Sequence, residues 1–533
     1  MHTVEDSQFY EGGAFVSFLN NLEATISPAS CTFYYFNYWP IIRFAINYKR
    51  KFGQPFLEGD VPELTADQVI ALQNVIEPRT RPTNAHNWRQ KRRLARLPRS
   101  EVVFLNRKTL YDRPVPGMVS LTLLDGLRLI TGVGDTALSL VDADPRVKGE
   151  TFSQPTRVLP KSNKTKIVQL LNPRNRFELD SRDRILRSIR AVNDLIRIDG
   201  SGLEVNEWDV LSRIENTVRM MDFYGQILDR VQPRFIFLTS YSGAHYVCAA
   251  ARKRGIKVVD VQHGSMHRHH FLASHWSNIP VDGYELLPDI FWCWSRRSAN
   301  YVQFPGTQAH RAMIGGNPKA ALESMMEPVT QISPAIASEA SQSIGEPEKN
   351  ATRRVVVALQ YGKDVLLPDH VIAAYEKTKG KVAWSFRLHP RGWNRLEELL
   401  QVLDIERKDV EAASKAPLKL ILSEVDVVLT DASTIVHEAI EFGAAPGVWS
   451  RKGSVIFDDL IEGGSLKFVG DADQVVALVL HGSRNQNRAE SFPDTPSSQA
   501  DLIRTEFRKL VGETIASPWH KLRMKMRSVL PSG

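Results

Sequence analysis

Val425-Asp426-Val427-Val428-Leu429-Thr430-Asp431-Ala432-Ser433-Thr434-Ile435-Val436-His437-Glu438 is the stretch whose reading decides the fold. Val425 to Leu429 are mostly apolar and β-branched, as a strand covered on both faces requires. Asp431, Ser433 and Thr434 then place small hydroxyl and carboxylate side chains where a helix needs its N-cap. The stretch reads as strand, polar turn and helix start. Free backbone N–H groups at such a turn, together with the helix dipole, suit a phosphate. Taken alone, it favours an ordinary capped β-α turn of a Rossmann-like sheet.

A second stretch upstream gives the turn a partner. Trp384-Ser385-Phe386-Arg387-Leu388-His389-Pro390 also reads as a strand running into a loop. Parallel strands of one sheet carry their C-terminal ends along one edge, and α/β proteins bind ligands there. Arg387, His389, Ser433 and Thr434 are therefore expected to converge on one anionic group. A cation, an imidazole and two hydroxyls suit a diphosphate or phosphodiester.

Further outward, Val355-Val356-Val357-Ala358-Leu359 reads as the first strand of the same domain. It ends in Gln360-Tyr361-Gly362, where backbone N–H groups could meet a donor or form a simple turn. Ala445-Pro446-Gly447-Val448-Trp449 and a helix near 472–480 complete it, so a Rossmann-like unit is expected over 351–485. Glu327 to Asn350, rich in Ser, Ala, Glu and Pro, reads as a flexible linker. Before it, Phe235-Ile236-Phe237-Leu238-Thr239, a helix from Ser240 to Arg254 ended by Gly255, and Ile256 to Val261 form a β-α-β unit. Gln262-His263-Gly264 follows directly and leaves His263 at the carboxyl edge of that sheet. A first Rossmann-like domain is expected over 99–320, opened by the strand Val102-Val103-Phe104-Leu105. Residues 1–98 read as an irregular extension packed on it. Residues 486–533 read as a basic tail, with cations alternating through Lys521-Leu522-Arg523-Met524-Lys525-Met526-Arg527.

Composition bounds the class. With 533 residues, two or three domains are expected. The hydrophobic fraction of 43% and charged fraction of 24% are those of a globular chain. A net charge of +8 suits anionic substrates or an anionic membrane face and is too mild to argue for nucleic acid. Three scattered cysteines, Cys31, Cys248 and Cys293, show neither disulfide framework nor zinc spacing and suit a reducing cytosol. The aromatic segment Cys31 to Phe44 contains Asn37, Pro40 and Arg43, and is too short and polar to span a bilayer. It reads as packed or interfacial. The basic run Trp88 to Arg96 reads as a solvated helix face or a polyanion patch.

Polar loops on the carboxyl edges of two such domains imply a cleft between them. The second domain would hold a donor phosphate and the first would present the acceptor. His263 has the pKa range for proton transfer near neutrality, or it only bonds a neighbouring loop. Glu438 and Glu441 follow the phosphate turn on the same helix and read from the sequence as surface charge. His263, His267, His269, His270 and His275 cluster, but no carboxylate group accompanies them and Gly264 opposes helical spacing, so no metal site is expected. Asp142-Ala143-Asp144 and Asp471-Ala472-Asp473 lack a second ligand.

Gln262-His263-Gly264, Arg387-Leu388-His389-Pro390 and Thr430-Asp431-Ala432-Ser433-Thr434, in that order, resemble bacterial surface-polysaccharide glycosyltransferases of the GT-B fold. The nearest groups are the capsule transferases of the Kdo and polysialic acid type and the CDP-glycerol glycerophosphotransferases. The resemblance covers the later part of the first domain and all of the second. It implies an α/β fold of two Rossmann-like domains with an interdomain cleft and no resident metal or cofactor. By this likeness Arg387, His389, Pro390, Ser433 and Thr434 would bind donor phosphates, and Glu438 the ribose. Gln360 and Gly362 would also serve the donor, Gln262, His263 and Gly264 would face the acceptor, and His263 and His389 would be catalytic. The implied donor is a CMP-activated acidic sugar and the implied acceptor a glycan or lipid-linked glycan, in the cytoplasm or at the inner face of the plasma membrane. A CDP-glycerol-type glycerophosphotransferase, a nucleotide-sugar epimerase and a non-catalytic capsule-assembly partner are the alternatives. The serine pair is Ser433-Thr434 here. Of the family's acid-acid-glycine motif only the fragments Asp125-Gly126 and Asp282-Gly283 are present, which leaves the base unassigned.

Overall fold

The computed structural model describes residues 12–52, 94–107, 123–133, 137–142, 156–158, 176–326, 353–360, 366–389, 392–416, 418–482, 484 and 496–512. The expected linker 327–350, most of the basic run Trp88 to Arg96, Gly362, Pro390 and the Lys521 to Arg527 segment lie outside them, as does Ile167-Val168-Gln169-Leu170-Leu171, whose sequence reads as a strand.

A short hairpin, β1 (Thr32–Phe33) and β2 (Phe36–Asn37), precedes a seven-stranded sheet. The sheet comprises β3 (Val102–Arg107), β4 (Leu138–Asp142), β5 (Thr156–Val158), β6 (Phe235–Leu238), β7 (Lys257–Val261), β8 (Ile290–Cys293) and β9 (Arg311–Ile314). Every pairing is parallel, in the order β5-β4-β3-β6-β7-β8-β9. That is the doubly wound dinucleotide-type order with one strand added, and it reverses between β3 and β6. Helices Leu123–Thr131, Glu207–Val231 and His245–Arg252 cover the faces, so β6 and β8 are buried along their whole length.

The second sheet holds β10 (Arg353–Ala358), β11 (Val382–Arg387), β12 (Val427–Thr430), β13 (Ala445–Val448) and β14 (Lys467–Phe468). It is again all parallel, in the order β11-β10-β12-β13-β14. This is the flavodoxin-like order, with its switch point between β10 and β12. All four residues of β12 are buried, which accounts for the unbroken apolar run from Val427. Two Rossmann-like α/β domains are therefore present, as the sequence implies.

Both ends of the chain depart from expectation. The region expected to be irregular contains helices Gly12–Ile26 and Trp39–Phe52, the second with Pro40 in its first turn, where proline is tolerated. These helices share one core with the first sheet, through Phe15, Leu19, Trp39 and Ile42. Arg43 and Glu23 form an ion pair with both side chains fully buried. The aromatic segment is thus packed.

The segment expected as a free tail contains the helix Pro496–Val511, which crosses back to the first domain. Ile503, Phe507 and Val511, one helical turn apart, are buried there. Phe507 stacks on Phe237 of β6 at 5.2 Å, and Gln499 Oε1 accepts from the Asn317 N–H at 2.9 Å. The apolar stripe wins over the basic composition because burying it removes far more unfavourable water contact than the surface charges resist. No helix among the described residues is long and apolar enough to cross a membrane.

Candidate functional site between the two sheets

Ala358 is the registered neighbour of both Arg387 and Thr430, and Thr430 is the neighbour of Val448. β10, β11, β12 and β13 therefore end in one row. The Thr430 hydroxyl donates to Ala358 O at 2.8 Å and locks β12 to β10 at the switch point. Leu359 N–H donates to Arg387 O at 2.9 Å and extends the pairing on the other side. Gln360 and His389 leave the sheet beside each other here, Gln360 half-buried and His389 exposed.

The polar turn sits at the same edge. Asp431 is buried, while Ser433 and Thr434 are half-buried. The helix it opens, Ile435–Glu441, has seven residues. Its dipole is correspondingly small, so the hydroxyls and backbone N–H groups carry whatever binding the turn supplies. Thr434 makes no side-chain cap, and Ser433 Oγ accepts from Ile435 N–H at 3.4 Å. Helix Arg451–Ile456 backs the turn at close quarters. A Cβ on Gly453 would lie 2.1 Å from Asp431 O, so glycine is required there.

Arg387 is differently employed from the expectation of a phosphate ligand. Its Nη1 donates to Ala413 O at 2.5 Å and Ala416 O at 2.7 Å, at the C-terminal end of helix Arg407–Lys415. Burial pulls its guanidinium down to about 10, and the nearby Glu438 carboxylate opposes that shift. Arg387 thus ties a helix end to β11 and pairs electrostatically with Glu438. It remains charged at neutrality, but the Nη1 directions are spent.

On the first domain, Gln262 is a scaffold residue. Its Nε2 donates to Gly264 O at 2.8 Å and its Oε1 accepts from Trp294 N–H at 2.9 Å. This fixes the turn that leaves His263 exposed. Asp260, two residues earlier, is buried; burial drives its carboxyl well up, and the nearby Tyr241 and Ser240 N–H groups oppose that shift. It lies beside the turn after β6, where Ser240 has φ 58°.

Sequence reasoning missed the contacts that join the domains. Ser265 Oγ lies 3.3 Å from His437 Nε2, on the helix after the polar turn. Burial, with Arg297 nearby, pulls the His437 imidazole down to about 4, so it is neutral at pH 7. Arg297 Nε and Nη2 each donate to an Asp459 oxygen at 2.6 Å, and Tyr301 Oη donates at 2.6 Å. Burial would raise the Asp459 carboxyl, but those bonds outweigh it and hold the group low. Asp458 accepts from His269 at 2.9 Å and pairs with Arg268 at 3.2 Å. The acids open the helix Asp458–Glu462. An acidic pair at a helix start was the only available signal, and it does not name a partner across the chain.

The remaining candidates have structural employment. Asp471 caps the helix Ala472–His481 by accepting from Gln474 N–H at 2.8 Å, and Asp473 pairs with Lys377. Asp125 is buried in the first turn of Leu123–Thr131, and a Cβ on Gly126 would lie 3.0 Å from Pro318 O. Asp282 lies on an exposed turn, where its carbonyl accepts from Arg252. His275 Nε2 meets Arg268 O at 2.5 Å. Among the described residues no group of three or more His, Cys, Asp or Glu could hold a metal.

Two facing Rossmann-like domains joined through their carboxyl edges define the GT-B type of architecture. No family model and no curated protein sequence matches the chain. Among solved structures, the UDP-GlcNAc 2-epimerase of Neisseria meningitidis bound to UDP-GlcNAc is 13% identical, with TM-score 0.44, covering 76% of this chain and 99% of its own. The glycotransferase of kitacinnamycin is 11% identical, with TM-score 0.41, covering 81% and 100%. An Anabaena protein in complex with UDP and glucose is 14% identical, with TM-score 0.40, covering 80% and 99%. At such levels these likenesses assign neither activity nor substrate to this chain.

Proposed function

We propose that this chain is a metal-independent glycosyltransferase that moves a sugar from a nucleotide donor to a surface glycan. The observation that carries the reading is the Ser265–His437 approach of 3.3 Å. It sets the loop after Gln262-His263-Gly264 against the helix that follows Ser433-Thr434. A donor phosphate held at the β10–β12 switch point would then face a group presented by the first domain.

In this reading Ser433, Thr434, His389 and Gln360 stabilise the departing phosphate. His263 takes the acceptor proton, being exposed at the opposing edge. Arg387 acts at one remove, by holding the β11 loop and balancing Glu438. Fixed donors aimed at developing charge supply the main catalytic effect in such a site, without a metal. The donor is a CMP-activated acidic sugar, and the +8 balance of the chain suits anionic substrates of this general kind. The acceptor is a capsule-type glycan at the inner face of the plasma membrane.

Thermal-shift measurement with CMP, CDP, UDP and GDP tests the donor. Cytidine nucleotides should raise the melting temperature by mass action. Stabilisation by UDP or GDP alone overturns the CMP assignment. Incubation with donor but no acceptor tests the reaction class, since steady conversion of the sugar would make the chain an epimerase.

A further inference from the structure

The hairpin β1–β2 turns through only two residues, Tyr34 and Tyr35. Tyr34 has φ 56°, at the position of a two-residue turn where glycine is favoured. A bulky residue there is strained, and such strain persists where it serves a purpose. Both rings face solvent, Tyr34 at 49% and Tyr35 at 61% exposure. Tight turns normally carry Asn, Gly or Asp, so two exposed aromatics here contradict every local preference.

A surface depression of about 440 Å³ opens beside this tip, lined by Tyr35, Asp222, Gln226, Asp229, Lys253 and Arg254. That volume lies within the range of small-molecule sites. Its floor is prearranged. Arg254 Nε and Nη2 donate to Asp229 at 2.7 and 2.9 Å, and Nη1 donates to Ala250 O at 3.0 Å. The guanidinium lies flat across Gly225 in helix Glu207–Val231, where a Cβ would sit 2.6 Å from Nη2. A glycine inside a helix costs about 1 kcal/mol against alanine. Here the Arg254 guanidinium packs over that glycine. The Lys253 ammonium lies 3.2 Å above the Tyr35 ring centre, on an exposed, flexible stem.

Two carboxylates and two cations line the depression, so its charge is balanced. A phosphate or an anionic lipid face would favour excess cations, and a divalent cation would favour carboxylates alone. An uncharged polyol uses donors and acceptors together, and its C–H face packs on an exposed aromatic ring. We propose that this depression is a carbohydrate subsite that takes neutral sugar units, with Tyr35 as platform and Asp222, Gln226 and Lys253 as hydroxyl partners. A bound sugar displaces the Lys253 ammonium from the ring and turns it into a hydrogen-bond donor.

Asp229 precedes β6, and Lys253 and Arg254 precede β7, so the subsite lies at the amino edge of the sheet. It is separated from the carboxyl edge by the length of β7, about 17 Å. Sugars bound there do not react. They tether a glycan and raise its local concentration at the far edge. Only this tethering role rests on the transferase reading.

The test is titration calorimetry on the full chain with chitotetraose, cellotetraose and maltotetraose, beside affinity electrophoresis through dextran. At least one neutral oligosaccharide should bind the wild type. Tyr35→Ala should weaken it roughly tenfold and Tyr35→Trp should retain it. Both variants should keep the wild-type melting temperature and nucleotide response. Binding unchanged by Tyr35→Ala, or no binding of any neutral sugar, overturns the subsite. Sedimentation that finds a dimer broken by Tyr35→Ala would instead assign the patch to a second copy of this chain. Absence of a nucleotide response, with sugar binding intact, would remove the transferase reading and leave the subsite.

Discussion

Glu23 and Arg43 are fully buried, whereas Arg297 and Asp459 are 20% and 17% exposed. Both pairs tie distant parts of the chain, but their surroundings differ. Glu23 also accepts from Trp39 Nε1, Ser277 N–H and Ser277 Oγ, and Arg43 donates to the Phe271, Ser274 and His275 carbonyls. Arg43 lies 4.1 Å from the Trp276 ring centre as well. The loop that follows His263 is thus fastened to the N-terminal helices by a network inside one core. The Arg297–Asp459 pair spans two cores and keeps contact with water. A pair of the first kind cannot open without unfolding its surroundings. A pair of the second kind can exchange its partner for solvent at small cost.

The largest effect should come from breaking the buried pair. Glu23→Ala should destabilise the first domain by about 3–5 kcal/mol, because Arg43 is left charged and unpaired. Denaturant unfolding measures this. A loss below about 1 kcal/mol would mean that water reaches the pair and that the two regions do not differ.

Two histidines sharpen the comparison under acid. Burial pulls His310, inside the first domain, and His437, at the junction, down to about 4. Unfolded, each takes a proton near 6.5; folded, neither does until about pH 4. The unfolded state therefore binds more protons in that window. Stability should be constant above it, fall as pH drops through it, and level off below. Each imidazole contributes up to about 1.4 kcal/mol per pH unit. His437→Asn should remove only its own share of the slope, read from unfolding midpoints across pH. A slope unchanged by His437→Asn would show that the junction is solvated.

The smallest effect on stability should come from the junction itself. Asp459→Asn should cost about 1 kcal/mol or less, yet loosen the two domains and enlarge the particle in X-ray scattering at low salt. The exchange Arg297→Asp with Asp459→Arg should restore compactness. A compact Asp459→Asn variant would show that other contacts set the domain angle.

The two sheets were legible because β12 is apolar from Val427 to Leu429 and β7 at Val258, Val259 and Val261, and each ends in a polar turn. Val427 to Thr430 and Lys257 to Val261 appear where the sequence places strands. The helix after Ser240 was also legible, though it begins at His245 and is preceded by a short 3-10 turn. The N-terminal helices were not, because Cys31 to Phe44 mixes aromatics with Asn37 and Pro40. Its pattern makes sense only against the core it enters. Arg387 shows the limit at the site: its position on the carboxyl edge followed from the strand, but its bonds to Ala413 and Ala416 depend on a helix whose approach no local pattern encodes. His437 and Asp459 were illegible for the same reason, since their partners lie more than a hundred residues away.

Calorimetric titration of CMP into wild type, His389→Ala and Ser433→Ala tests most directly whether the β10–β12 switch point is a nucleotide-phosphate pocket. Each substitution should weaken binding by roughly tenfold or more, the loss of about one charge-assisted hydrogen bond, with the melting temperature of the free protein unchanged. Equal affinity in all three proteins would contradict the pocket, and with it the reading of this edge as a donor site.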